Sequence, residues 1–215
     1  MAIIVSNNTS GGVSGSNNIT VSMTTAAGDN FLLVGFGRAG TGLVKSTGVT
    51  FDGQAMTNIV QADGTVRTTV ELWYLINPHI TTANIVASFP TAADHCLAAV
   101  SLKGVNVSSP IRGFVNTAAS SSSISDIISS ATNDLVVDFC TLEATTGSPN
   151  EDAGQTLITT CGIGATIDVS GGMSYEAGAA SNTLGWSWTG TVDSALALVS
   201  IKPKLSAGGS QVIII

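Results

Sequence analysis

Two stretches of this chain align without a gap, ASFPTAADHCLAAVSLK (Ala87–Lys103) and WSWTGTVDSALALVSIK (Trp186–Lys202), at an offset of 99 positions. Ser88 meets Ser187, Asp94 meets Asp193, and Leu97, Ala98, Val100, Ser101 and Lys103 recur at Leu196, Ala197, Val199, Ser200 and Lys202. Upstream the likeness continues with small insertions. Asn30-Phe-Leu-Leu-Val-Gly-Phe resembles Asn133-Asp-Leu-Val-Val-Asp-Phe at an offset of 103, and Gly53-Gln54 resembles Gly154-Gln155 at 101. A 215-residue chain repeated in this way is restricted to folds that use one supersecondary unit twice. The related halves run over about 30–104 and 133–203, and the Ser-rich NTAASSSSISDIISSATN (Asn116–Asn133) reads as their joint.

The repeated segment also names its secondary structure. Ala98, Val100 and Leu102, and in the second half Ala197, Val199 and Ile201, share one apolar face, while Ser101, Lys103, Ser200 and Lys202 turn to the other, as in a half-buried strand. No window carries apolar residues at helical spacing, and 24 glycines, with Ser, Thr and Asn, punctuate the chain at short intervals. Strands are predicted near 19–23, 30–37, 49–51, 55–61, 67–76, 83–89, 96–103, 134–143, 155–161, 173–176, 183–188 and 195–202, with turns such as FDGQ and QADGT between them. The fold class expected is all-β, an antiparallel β-sandwich of jelly-roll-like type whose two halves share one core. Two small sandwiches in tandem are the alternative. Residues 1–16 read as an N-terminal arm, 17–203 as the sandwich domain and 204–215 as a flexible spacer followed by a C-terminal strand.

Charge narrows the function classes. With 7 Lys and Arg against 14 Asp and Glu, the net charge is −7 and no basic run exists, which argues against nucleic-acid or anionic-membrane partners. No apolar run approaches the roughly 20 residues of a membrane span. MAIIVSNNTSGG lacks the cationic start and apolar centre of a secretory signal, so folding in a cytoplasm is expected. Cys96, Cys140 and Cys161 show no CxxC spacing and read as buried small hydrophobes.

Titratable residues that could converge are few, and no catalytic, cofactor or metal site is expected. His79 lies in a turn, INPHITT, and His95 faces Ser194 in the other half, so the fold does not require an imidazole there. His95 and Cys96 are adjacent in a strand and point to opposite faces, a poor base–nucleophile geometry. Asn150, Glu151 and Asp152 offer oxygens for calcium but too few, without the spacing of a calcium loop. Trp186 and Trp188 lie two apart on one face, and with Trp73 they are the candidate stacking platform for a glycan, although aromatics so scarce usually serve a core.

The succession GDNFLLVGFG, VTFDGQAMTNIV, VELWYLINP, AAVSLKGVNVSSPI and LALVSIKP resembles a jelly-roll domain recurrent in phage structural proteins and bacterial surface proteins, over roughly residues 17–203. Phe51 and Asp52 depart from the pattern, which has Tyr and Gly there. The resemblance implies a sandwich without shared catalytic residues, used for decoration, fibre or adhesion.

After Pro203 the repeated unit is complete, yet the chain continues through KLSAGGS to QVIII. An apolar β-branched strand on a flexible spacer seeks a sheet edge, its own or a neighbour's. Ile3, Ile4 and Val5 at the other end have the same character, so Gln211, Val212, Ile213, Ile214 and Ile215 together with Ile3–Val5 are the candidate assembly residues. The function expected is that of a non-enzymatic virion structural protein, a phage capsid decoration or accessory protein assembled in the host cytoplasm, whose partners are itself and other virion proteins. The alternatives are a carbohydrate-binding or receptor-binding adhesin module and a donor-strand filament subunit.

Overall fold

The structure, a computed structural model, describes residues 2–40, 42–143, 149–162 and 168–205. Among them lie thirteen strands and no helix: β1 Ile4–Thr24, β2 Asp29–Ala39, β3 Gly48–Phe51, β4 Gln54–Ala55, β5 Thr57–Asp63, β6 Thr68–Ile76, β7 Thr82–Lys103, β8 Ile111–Ile128, β9 Leu135–Leu142, β10 Asn150–Glu151, β11 Thr156–Cys161, β12 Ser170–Ala177 and β13 Asn182–Ile201. They form two antiparallel sheets. The first has the order β4-β3-β7-β2-β6-β5 with β1 added on β7, and the second β10-β13-β9-β12-β11 with β8 added on β13. Except for β4, which has no counterpart among the described residues, the two orders are the same, with β1, β2, β3, β5, β6 and β7 answered by β8, β9, β10, β11, β12 and β13.

Register supports this correspondence in detail. A bulge between Asn58 and Val60 in the β5–β6 pairing recurs between Leu157 and Thr159 in β11–β12, at the same offset of 99. Bulges disturb a ladder at one defined residue, so one in the same place twice marks equivalent strands. The alignment of Asn30 with Asn133 needs correction. Phe31 lies opposite Leu102 and Leu135 opposite Ile201, so Phe31 corresponds to Leu135 and the offset is 135 − 31 = 104 rather than 103. Upstream of Phe31, β2 holds one extra residue, where the register slips between Asp29 and Phe31, so Asp29 corresponds to Asp134 at an offset of 134 − 29 = 105.

Three apolar cores result, which combines the two architectures expected. A central core between the sheets joins Phe31, Leu33, Val100 and Leu102 to Val137, Phe139, Val199 and Ile201. On the far face of the first sheet, Leu32, Val34, Phe36, Phe51, Ile85 and Leu97 enclose a flanking core. Val136, Cys140, Leu184, Trp186, Leu196 and Leu198 do the same on the second. The flanking layers exist because β7 and β13, 22 and 20 residues long, each serve two layers. The Asp94–Lys103 part of β7 pairs with β2, and its Gly48-facing part near Ser88 pairs with β3. Central strands covered on both faces lose their alternation, which is why FLLVGF and LVVDF are continuous apolar runs.

The halves meet closely at corresponding positions of β2 and β9, glycine backbone on one side against side chains on the other. A Cβ on Gly35 would come within 2.6 Å of the Phe139 ring, and one on Gly37 would collide with Thr141. Since Gly35 answers Phe139 and Gly37 answers Thr141, the contact is self-complementary, as across a twofold axis.

Two sequence-based boundaries change. The Ser-rich joint Asn116–Asn133 is mostly β8, paired with β13 from Ile111 opposite Ile201 to Ile128 opposite Asn182. The expected N-terminal arm 1–16 is largely the first part of β1, paired with β7 from Ile4 opposite Lys103 onwards. The first part of β1 is rich in Ser, Asn and Gly and β8 in Ser, residues that do little to favour a strand, and their ladder hydrogen bonds to a long neighbour hold them extended. The halves therefore include these strands and run from β1 to β7 and from β8 to β13.

Candidate functional site

The sites expected at the chain ends divide. Gln211–Ile215 lies outside the described residues. Ile4 and Val5 pair with Lys103 and Leu102 in the home sheet, and Ile3 and Val5 pack against the central core, while the Ile4 side chain is 57% exposed. The physical cause is local: β7 leaves one edge open beyond its pairing with β2, and β1 occupies it.

What β1 and β8 leave open is more informative. Each pairs along one edge only, and among the described residues no strand is ladder-bonded to the other edge, although β11 comes beside β1, where Thr159 Oγ1 donates to Ser10 Oγ at 3.0 Å. β1 presents a 21-residue edge, IVSNNTSGGVSGSNNITVSMT, without a single charged residue. β8 presents 18 residues, charged only at Arg112 and Asp126, with Phe114 50% and Ile127 60% exposed. Natural sheets blunt long edges with Lys, Pro or inward-pointing charge, because unpaired N–H and C=O groups template further strands. These two edges are barely guarded.

The three indoles do not form one exposed platform. Trp186 is fully buried in the second flanking core, where Nε1 donates to Asp138 Oδ2 at 2.7 Å and the ring rests on Gly172. This corrects the expectation of a glycan stripe through Trp186, and the reason lies across the sheet. Gly172 has no side chain, so a large ring fills the space. Trp188 and Trp73 are half-buried and spend their N–H groups inward, on Ser121 O at 3.1 Å and on Glu71 Oε2 at 3.0 Å.

Each flanking core holds one buried carboxylate satisfied by a similar set of donors. Glu71 accepts from Ser46 N and Oγ, from Gln61 Nε2 and from Trp73 Nε1. Asp138 accepts from Ser174 N and Oγ, from Gln155 Nε2 and from Trp186 Nε1. The two positions do not correspond, since Glu71 on β6 answers Gly172 and Asp138 on β9 answers Val34. Complete burial pushes the Asp138 carboxyl up to about 7, Glu176 adding to it, although Ser174 and Trp186 donate to the charged form.

The repeated Asp94 and Asp193 stitch the halves together. Asp193 accepts from the backbone N–H of Thr65, Val66, Arg67 and Thr68 in the β5–β6 loop of the first half. Asp94 Oδ2 reciprocally accepts from Asp168 N in the β11–β12 loop at 2.6 Å, while Oδ1 takes Ser14 Oγ and Gly15 N. Burial raises the Asp193 carboxyl, but the donors of Arg67, Thr68 and Val66 outweigh it and hold the group below its usual range. Arg67 also pairs with Glu143 across the halves. Sequence comparison shows that these aspartates recur; their role needs the packing of one half on the other.

The remaining candidates occupy structural positions. His95 stacks on Phe89 with ring centroids 3.9 Å apart and bonds Ser16 O through Nε2, and burial lowers its pKa to about 4. Cys96 lies in the central core, so the two neighbours do face opposite sides. His79 Nδ1 is 2.8 Å from Asp52 Oδ2 on the exposed surface. Cys96, Cys140 and Cys161 are all buried, and burial pushes the Cys140 and Cys161 thiols well up. Asn150 and Glu151 form β10 against Ser187 and Trp186, and among the described residues no cluster of three His, Cys, Asp or Glu is arranged to hold a metal ion.

Comparison with family models, with curated proteins and with solved structures finds no match. The chain's own geometry therefore carries the functional reading.

Proposed function

We propose that this protein is a non-enzymatic structural component of a virion, a phage capsid decoration or a head or tail accessory protein. It assembles when Gln211–Ile215 of one copy adds as a strand to an open edge of another copy or of a neighbouring virion protein. The observation that carries this reading is the unguarded pair of edges, above all the 21 uncharged residues of β1. A monomer working alone would be under pressure to charge or cover such an edge, whereas a strand acceptor must keep it open. The stacked cores suit a load-bearing module, and the buried carboxylates are consumed by internal donors rather than turned towards a substrate.

Deletion of Gln211–Ile215 tests the proposal. The truncated chain is expected to remain folded by circular dichroism and to lose the higher species that the full chain shows in analytical ultracentrifugation and electron microscopy. A truncated chain that assembles as the full one does would overturn the strand-addition reading. A full chain that stays monomeric at high concentration, alone and with isolated virions, would overturn the structural role.

A further inference from the structure

The two halves diverge at the end of their last long strand. In the first half Lys103 Nζ lies 3.9 Å from Oδ1 of Asp29. Asp134 corresponds to Asp29: each accepts the N–H of the residue three places earlier, Ala131 and Ala26, in turns whose third residues, Asn133 and Gly28, have positive φ of 75° and 91°. Lys202 corresponds to Lys103, but its carboxylate is taken. Arg112, which has no charged equivalent in the first half, donates to Asp134 through both Nε and Nη2, and Ser200 Oγ adds a further bond at 2.9 Å. Lys202 Nζ therefore turns to Ser109 Oγ at 2.6 Å, and among the described residues neither Lys202 nor Lys204 has a carboxylate in ion-pair range.

Between these side chains lies a pocket of about 380 Å³ whose walls include Arg112, Lys202, Lys204, Asn106, Asn133 and Asp134. Three of the seven Lys and Arg in a chain of net charge −7 line one pocket. Its one carboxylate neutralises Arg112, which leaves two ammonium groups uncompensated beside two side-chain amides. A concave wall of one charge concentrates the local potential and raises the local anion concentration.

We propose that this pocket binds a phosphate group, with the Lys202 and Lys204 ammoniums as charge partners and the Asn106 and Asn133 amides as neutral donors. Two compact ammoniums match the double charge of a phosphate monoester or free phosphate better than they match a single carboxylate. Arg112 is a positioning residue: by occupying Asp134 it releases Lys202 from the pairing that Lys103 keeps.

Calorimetric titration of the full chain with inorganic phosphate and with phenyl phosphate, at constant ionic strength, tests the site. Saturable binding is expected, weakened about tenfold by Lys202→Gln or by Lys204→Gln and abolished by both together. Lys103→Gln, at the matching position where the lysine keeps its carboxylate, leaves it unchanged. Tighter binding of phenyl phosphate supports a phosphorylated molecule as the natural ligand, and equal binding supports free phosphate. Absence of saturable heat with either ligand, or equal weakening by Lys103→Gln, overturns the assignment.

Discussion

Replacing Asp138 by Asn separates the cost of a buried charge from the fold around it. The side chains are nearly isosteric, and the amide oxygen can still accept from Ser174. The amide nitrogen cannot accept from Trp186 Nε1 or Gln155 Nε2 as Oδ2 does, a loss that does not depend on pH and so leaves the pH-dependent difference to the carboxyl. The carboxyl sits near 7 in the folded chain and near 3.9 when unfolded. A raised folded value means that the folded state holds its proton while the unfolded state has released it. Stability from this group therefore falls as pH rises from about 4 to about 7, and the loss is complete above the folded value. Between pH 4.5 and pH 8 the predicted loss is about 3 kcal/mol, at 1.36 kcal/mol per pKa unit. His95 acts oppositely in part of this range, since its folded value of about 4 is depressed and stability falls as pH drops below about 6.5. The difference between wild type and variant cancels that contribution. Urea unfolding followed by tryptophan fluorescence at the two pH values is the assay, and Asp138→Asn is expected to gain about 3 kcal/mol on wild type in going from pH 4.5 to pH 8. A difference that does not change with pH would mean that Asp138 ionises normally in the folded chain, and the burial argument would fail.

Other consequences are open to direct measurement. Gly37→Ala is expected to cost about 2–4 kcal/mol because its methyl meets Thr141 across the halves, and adding Thr141→Gly is expected to recover at least about 1 kcal/mol as a coupling energy. Asp193→Ala strands the N–H groups of the 65–68 loop and is expected to lower stability by about 2–4 kcal/mol, whereas Asp63→Ala, which removes an exposed pair with Lys45, stays within about 0.5 kcal/mol in the same melt. Ellman's reagent is expected to find no reactive thiol in the native chain and three after denaturation, since all three cysteines are buried. Acrylamide should quench Trp188 and Trp73 in preference to Trp186; in a Trp73→Phe, Trp188→Phe background, ready quenching would place the remaining indole at the surface and reopen a glycan platform.

Much of the fold was legible because it is written in local patterns. Alternation in Ala98–Lys103 and Ala197–Lys202, continuous apolar runs in β2 and β9, and the matched offset of 99 specify antiparallel strands used twice, and period and repetition are properties of neighbours along the chain. The strands that escaped notice, β8 and the start of β1, lack apolar alternation and owe their extended form to the ladder offered by β13 and β7. Trp186 illustrates the same limit. Its spacing from Trp188 is visible in sequence, but whether the ring stacks outward or inward depends on Gly172, on a strand paired elsewhere. Asp94 and Asp193 could be found by comparing the chain with itself, yet their work as clamps depends on loops more than a hundred residues away in one case. The strand content and the repetition belong to the one-dimensional pattern. The stacking of three cores, the fate of each polar group inside them and the release of Lys202 from its carboxylate arise only when distant segments meet, because burial and pairing are properties of space rather than of order along the chain.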